Sequence, residues 1–405
     1  MLEWHTYFLK DIATFSQGIQ VDTDNQFIKN RKGLIRFIRI IDYSKTNEPP
    51  RYILYPKDSY IVNANDIVMI RYGSQTAGKV VRGISGAIAN NMFKITLNNN
   101  VITNEYAYYY LSQVSVFNHL RGAQSSSTMP AITFELVGRQ PITLPDIFTQ
   151  KKITTILSRL DQKIELNRRI NENLEQQAQA LFKSWFVDFE PFKDGKFVDS
   201  ELGMIPEGWK VGTIGNYSNI RSGFAFKSSW WTDKGVKIVK IKNISSSGNL
   251  DMNDCSYVSK ENTLKAKEFS LKPGDLLIAM TGATIGKFCI VPILKEEMYV
   301  NQRVGKFFLG EEPILKVPFI YGLLKSENII SRIINKGQGS AQPNISSNDI
   351  ETISIILPPK DVISKYNELV SPYFSLLIKN LNECDYLAQL RDILLPKLMS
   401  GELQI

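Results

Sequence analysis

The chain is poor in the residues that build catalytic and metal centres. Its 405 residues include two histidines, His5 and His119, and three cysteines, Cys255, Cys289 and Cys384. The histidines have no partner at a recognisable spacing. An odd number of distant cysteines provides neither a disulfide framework nor a CxxC metal knuckle, and it fits a reducing cytoplasm. No apolar run approaches the roughly 18 residues of a membrane span. The opening MLEWHTYFLKDIATF has neither the charged nor the apolar region of a signal peptide. A cytoplasmic location is therefore expected.

Three near-motifs are also incomplete. Gly73-Ser-Gln-Thr-Ala-Gly78-Lys79 begins like a phosphate-binding loop, but Val80 stands where a Mg²⁺-binding hydroxyl is required. Pro145-Asp146 followed by Asp161-Gln162-Lys163 has the letters of a nuclease motif. Metal-assisted cleavage needs such carboxylates to converge on one ion, and the second pair falls within a long helical pattern. Glu48-Pro49-Pro50-Arg51 does not make the N/D-P-P-aromatic motif of an amino-methyltransferase. No catalytic constellation emerges.

Apolar residues make up 43% of the chain, enough for real cores. At roughly 100–200 residues per domain the length fits two or three domains. The net charge of +8 is modest, so its distribution matters more than its size. Residues 1–147 hold 15 basic and 11 acidic side chains, and residues 191–358 hold 21 and 17, a net +4 each. Residues 148–190 carry +1 and residues 359–405 carry −1. Two long basic segments thus alternate with two nearly neutral ones.

A two-fold internal repeat underlies this pattern. A shift of 213 places Leu144-Pro145 on Leu357-Pro358 and runs ungapped from about Glu105 to Trp185. It matches Tyr108 with Tyr321, Leu111 with Leu324, Ser127 with Ser340, Pro130 with Pro343, Ile132 with Ile345 and Asn167 with Asn380. Earlier stretches match at smaller shifts: Asn65–Val68 with Gly274–Leu277, Ile35–Ile40 with Val236–Ile241, and Trp4 and Gly18 with Trp209 and Gly223.

Each half divides into a globular and a helical part. Short β-branched runs at Ile35–Ile41, Asp66–Arg71, Lys237–Ile241 and Asp275–Met280 read as strands between polar turns. Helical patterns near Glu105–Leu120 and Pro318–Ile334 make the class α+β. From Ile153 a narrow seam runs through Leu157, Leu160, Ile164, Asn167, Asn171, Leu174, Ala178, Leu181 and Trp185. The second copy places Tyr366, Val370, Tyr373, Leu377, Asn380, Cys384, Leu387, Arg391, Leu394 and Leu398 there, with Pro372 predicting a kink. Asn167 and Asn380 are polar in both seams, as register-fixing residues are. Pairing within one chain requires the helices to run antiparallel. A helix of about 38 residues is about 55 Å long, and one turn of duplex DNA is about 34 Å. Such a frame suits the reading of two DNA half-sites.

These features together resemble the DNA specificity subunit of type I restriction–modification enzymes. Leu144-Pro-Asp-Ile-Phe-Thr-Gln-Lys-Lys-Ile through Ile164 is similar to that family's central conserved region, as is Gln179–Phe192. Leu202-Gly-Met-Ile-Pro-Glu-Gly-Trp209 looks like the lead-in to its second recognition domain, and Leu394–Leu403 like its C-terminus. Gly337–Ser346 and Val300-Asn301-Gln302-Arg303-Val304 fit its recognition-domain patterns. In the first half, Ala89-Asn90-Asn91 replaces the Asn-Gln pair.

The resemblance implies two target recognition domains, 1–147 and 191–358 (the latter with a linker), joined by long conserved helices in 148–190 and 359–405. These helices would form an antiparallel coiled coil. It implies a chain without chemistry or bound cofactor that reads a bipartite, asymmetric double-stranded DNA site. Two modification subunits would bind S-adenosylmethionine and methylate adenine, extruding it from the stack. Restriction subunits with helicase and nuclease activity would bring ATP and Mg²⁺.

Base readout requires Arg or Lys for guanine and Asn or Gln for adenine, on polar loops. In the first unit the candidates are Arg71, Ser74, Gln75, Lys79, Arg82, Arg121, Gln124, Ser125, Ser126 and Ser127. In the second they are Lys240, Lys242, Asn243, Thr281, Thr284, Lys287, Gln302, Arg303, Lys336, Gln338, Ser340, Gln342 and Asn344. Helix pairing is expected of Ile153, Leu157, Leu160, Ile164, Asn167, Leu174, Leu181 and Trp185 with Tyr373, Leu377, Asn380, Leu387, Leu394 and Leu398. Arg168, Arg169, Glu172 and Arg391 are outward-facing candidates for docking partners. The competing readings are a coiled-coil scaffold that reads no DNA and a self-sufficient nuclease or methyltransferase.

Modularity predicts that replacing residues 1–147 with another such unit changes one half of the methylated motif and leaves the other half intact. Sequencing of methylated DNA checks this, and a change in both halves would overturn the modular reading.

Overall fold

The computed structural model describes residues 4–44, 48–73, 75–123, 131–245, 248–337 and 343–405. Two compact units result, and the first is assembled from two separate stretches of chain. The first comprises Met1–Gln162 with Leu387–Ile405, the second Lys163–Tyr386. Each long helix is therefore divided between the units rather than forming a domain of its own.

The repeat is visible in the strand pairing. In the first unit His5–Phe8 pairs antiparallel with Pro141–Leu144, and in the second Lys210–Thr213 pairs antiparallel with Ser354–Leu357. Each Leu-Pro thus ends a strand whose successor is a long helix, as a residue without an N–H would do. An antiparallel sheet follows in each unit. In the first its order is Ala13–Gln17, Met92–Leu97, Ile67–Ile70, Val80–Val81. In the second it is Ile220–Ser222, Val304–Phe307, Leu276–Ala279, Phe288–Ile290.

Another four-stranded sheet in each unit contains one parallel pair. Leu34–Ile38 lies beside Gly86–Ile88 in the first, and Val236–Val239 beside Met298–Val300 in the second. The expected strands therefore form, with ends displaced by one to three residues. The helical patterns split in two: Asn104–Leu111 and Val114–Gly122, then Val317–Lys325 and Glu327–Lys336.

The first long helix spans Ile147–Phe186. Asp146 caps it, accepting from the backbone N–H of Phe148 at 2.9 Å and of Thr149 at 3.0 Å, and from the Thr149 hydroxyl at 2.7 Å. These bonds, the Thr149 hydroxyl first, hold the Asp146 carboxyl below the usual carboxylate range. The helix stops before Phe189, which takes left-handed backbone angles at φ 54°. The second long helix, Lys360–Met399, is unbroken through Pro372 and Pro396. Pro372 therefore does not end the helix, although it has no N–H to donate to the preceding turn.

The two helices pair antiparallel. Within the second unit Tyr366 donates its hydroxyl to the Ala178 carbonyl at 3.3 Å, and Asn171 donates to the Leu377 carbonyl at 3.2 Å. Asn380 donates to the Asn171 side chain at 2.8 Å. Asn167 donates to Glu383 at 2.7 Å, which holds that carboxyl below its ordinary range. In the first unit Asp161 accepts from Arg391 at 2.8 Å and from the Tyr109 hydroxyl at 2.6 Å.

Around this seam Ile153, Leu157, Leu395, Leu398 and Met399 enter the first unit's core with Tyr106 and Leu144. Ala178, Phe182, Phe186, Tyr366 and Leu377 enter the second unit's core. Of the expected pairing residues, Ile153, Leu157, Ile164, Asn167, Leu377, Asn380 and Leu398 are buried. Leu160, Leu174, Leu181, Trp185, Tyr373, Leu387 and Leu394 are half-buried.

A buried amide that loses its partner keeps its full desolvation cost. Asn171→Leu should therefore destabilise the second unit by about 1–3 kcal/mol, because it strands Asn380. Asn171→Leu with Asn380→Leu should restore most of that loss. Urea unfolding followed by tryptophan fluorescence measures both, and an additive loss in the double variant would contradict the pairing.

Candidate nucleic-acid interface

The same turn is built twice. In the first unit it is Ala89-Asn90-Asn91, between Gly86–Ile88 and Met92–Leu97; in the second it is Asn301-Gln302-Arg303, between Met298–Val300 and Val304–Phe307. The turn closes through Met92 N–H to Ala89 carbonyl at 3.0 Å, and through Val304 N–H to Asn301 carbonyl at 2.9 Å. Its last carbonyl accepts from the Arg71 N–H at 2.9 Å in the first unit and from the Met280 N–H at 3.1 Å in the second.

Below each turn a glycine lets two backbones meet. A Cβ on Gly18 would lie 2.2 Å from the Ala89 carbonyl oxygen, and one on Gly223 would lie 2.4 Å from that of Val300. Only glycine fits such an approach, which explains why the repeat retains this pair.

An ion pair anchors the strand after each turn. Lys94 meets Asp66 at 2.7 Å, and Lys306 meets Asp275 at 2.7 Å. Asp66 also accepts from the Asn63 N–H and Asp275 from the Lys272 N–H, both at 2.8 Å. The second pair is the more deeply buried, with side-chain exposures of 8% for Lys306 and 3% for Asp275. Burial pushes the Asp275 carboxyl above the usual carboxylate range, and Lys306 acts against that push.

In the second unit four candidate residues converge. Thr281, Gln302, Arg303 and Asn344 line a cavity of about 520 Å³ with Ser222 and Ser346. Gln302, Arg303 and Asn344 are exposed. Thr281 is buried and donates its hydroxyl to the Asn344 side chain at 2.9 Å, so it orients that amide rather than facing solvent. Thr284 donates to the Thr281 carbonyl at 2.9 Å. Lys287 is half-buried, and Lys336 reaches the Thr352 hydroxyl at 3.3 Å.

One second-unit candidate needs correction, and two others are engaged within the unit. Asn243 is fully buried. It accepts from the Lys240 N–H at 2.8 Å and donates to the Asp251 and Asp254 carbonyls at 3.0 and 2.9 Å. An amide spent on three backbone groups holds a loop together and does not read bases. Lys240 lies 3.5 Å from the centroid of the Trp231 ring, and burial lowers its pKa. Lys242 pairs with Asp254 at 2.8 Å.

The first-unit candidates are spread more widely. Arg71 is half-buried beside its turn and lies 5.2 Å from the Tyr72 ring centroid. Arg82 packs 3.9 Å from the Tyr108 ring centroid. Lys79 is exposed and lines a different cavity, of about 560 Å³, with Tyr108, Asp161 and Arg391. Arg121 lies 5.4 Å from the Phe117 ring centroid, and Gln75 is exposed. Ser74, Gln124, Ser125, Ser126, Ser127, Gln338, Ser340 and Gln342 lie outside the described residues.

The residues beside the first turn were missed. Gln20, Gln26, Arg39, Asn90 and Asn91 line a cavity of about 500 Å³. The repeat carried the signal, since it sets Asn90-Asn91 against Gln302-Arg303. Arg391, expected to face outward, is instead held by Asp161 and by Asp392 at 2.8 Å. Arg168, Arg169 and Glu172 are exposed.

Comparison with known proteins follows the same two-fold division. A family model described as "Type I restriction modification DNA specificity domain" matches residues 1–176 and again 206–383. The MjaIX specificity subunit of Methanocaldococcus jannaschii, named as a type I restriction enzyme subunit, is 30% identical over 325 residues, covering 78% of this chain and 73% of that protein. The HindI specificity subunit of Haemophilus influenzae is 25% identical over 386 residues, covering 78% and 81%. The crystal structure of a type I restriction–modification S subunit from M. genitalium matches with a TM-score of 0.60 at 15% identity. It covers 98% of this chain and 96% of that one, a likeness of fold.

Removing Lys306 would leave the Asp275 carboxylate buried and unpaired. Lys306→Met should cost about 3–5 kcal/mol at pH 7. A carboxyl raised in the folded state stabilises most below its unfolded pKa, and that contribution is lost as pH rises through the folded value. The deficit should therefore shrink towards pH 4 and grow towards pH 7. Urea unfolding at both pH values tests this, and a pH-independent deficit would contradict it.

Proposed function

The chain belongs to the type I restriction–modification DNA specificity family, and from that premise we propose how its two units divide the reading of DNA. It is a sequence-specific DNA recognition subunit, and the scaffold that reads no DNA is not supported. Each unit takes one half of a bipartite, asymmetric site. The observation that carries this reading is a single frame built twice in one chain, with a different set of polar side chains on the equivalent turn.

Further assignments belong to the proposal. The chain itself performs no chemistry. Two modification subunits dock on it, bind S-adenosylmethionine and methylate adenine, and restriction subunits bring ATP and Mg²⁺. Among the described residues no helix is long and apolar enough to cross a membrane, and we place the complex in the cytoplasm with its DNA. The half-buried or exposed cations Lys79 and Lys287 serve as phosphate contacts, which position the duplex without naming its bases.

The deciding experiment maps methylated adenines in cells that carry the modification subunit with and without this chain. A bipartite motif should appear only with the chain. Lys79→Ala or Lys287→Ala should weaken binding evenly across sequences and reduce the salt slope by about 1. Methylation independent of the chain would overturn the assignment.

A further inference from the structure

We propose that Arg303 reads a guanine in the half-site taken by the second unit. This deepens the specificity-subunit reading above and rests on it.

The argument starts from what surrounds the side chain. Among the described residues lining its cavity, Arg303 is the one cation and none is acidic. Its neighbours there are amides and hydroxyls: Gln302, Asn344, Thr281 and Ser346. Surfaces that hold phosphate gather several cations, because affinity comes from charge neutralised. One guanidinium among neutral donors and acceptors is instead a surface suited to base edges. Arginine's fixed fork of donors matches guanine O6 and N7 in the major groove.

The backbone below it is locked. The Arg303 carbonyl accepts from the Met280 N–H, and the Gln302 N–H donates to the Phe224 carbonyl at 3.1 Å. The next residues form the strand held by the buried Lys306–Asp275 pair. The arginine therefore projects from a fixed base, and only its own side chain is ordered on binding.

The equivalent turn of the first unit supplies the contrast. Its cavity also contains one cation, Arg39. That guanidinium is neutralised by Asp42 at 3.2 Å and Glu48 at 3.2 Å. No ion pair of this kind engages Arg303 among the described residues. Asn90 donates to Gln20 at 3.2 Å, and the other cation beside this turn, Arg71, is half-buried 5.2 Å from the Tyr72 ring centroid. The two copies of one turn thus differ in chemistry, because an exposed Arg303 stands where the first copy has Asn91.

The test uses the full chain with its modification subunits and reads the methylated motif by sequencing. Arg303→Ala should relax one guanine, in the second unit's half-site only, with discrimination falling about 5- to 150-fold. Arg303→Gln should move the preference at that position towards adenine, the base an amide pairs with. The first half-site should stay as it was. An unchanged motif in both variants would overturn the proposal. So would an even loss of methylation with every position retained, which would make Arg303 a phosphate contact. A wild-type chain that imposes no bipartite motif would overturn the functional reading itself, and this proposal with it.

Discussion

Two helices that pair antiparallel within one chain bring the start of each beside the end of the other. The rest of the molecule follows from that constraint. The first globular unit must be completed by the chain's last residues, Leu387–Ile405, and the second must take in Lys163–Tyr386 without interruption. A seam of leucines alone would satisfy the antiparallel arrangement at several registers. The amides of Asn167, Asn171 and Asn380 permit few, because each needs a polar partner at one height. Burying them costs stability that an apolar seam would retain, and what they supply is uniqueness of register.

The globular units show how a fold is held constant while its reading surface varies. The invariant parts are backbone-directed: a glycine where two chains meet, and an aspartate that caps a turn and pairs with a lysine on the strand beside it. These parts serve geometry and occur in both copies. The parts that differ are side chains on a turn whose backbone hydrogen bonds are the same in each copy. Changing Asn91 for Arg303 alters the chemistry presented without altering the hydrogen bond its carbonyl accepts. Specificity can therefore change in one unit while the frame beneath it is left alone.

Much of this was legible in the chain. The shift that aligns the two Leu-Pro pairs marks both strand-to-helix junctions, and the helical periods mark both long helices. Periodicity could not place Ser112-Gln113 or Ser326, where each shorter pattern divides, because burial on both sides of the break preserves the apolar spacing. Pro372 lies within one continuous helix, so a single missing N–H does not end it. Residue type alone also did not tell which of the candidate side chains are exposed. Asn243 and Gln302 are equally polar in the chain, yet one is spent on backbone carbonyls and the other faces solvent. Only the fold distinguishes an amide that caps a loop from one that remains available.

The chain's positive charges, already only modestly in excess, are further committed within the fold. Many of its cations are engaged internally: Lys94 with Asp66, Lys306 with Asp275, Lys242 with Asp254, Lys237 with Glu296, Arg39 with Asp42 and Glu48. Cations engaged in this way contribute little to counterion release, the main source of affinity for any duplex. They are less available for sequence-independent contacts with phosphates. Discrimination among sequences needs side chains that remain available to base edges. A modest charge excess suits a sequence reader, because a strongly basic surface would hold it on the many competing sequences that do not match.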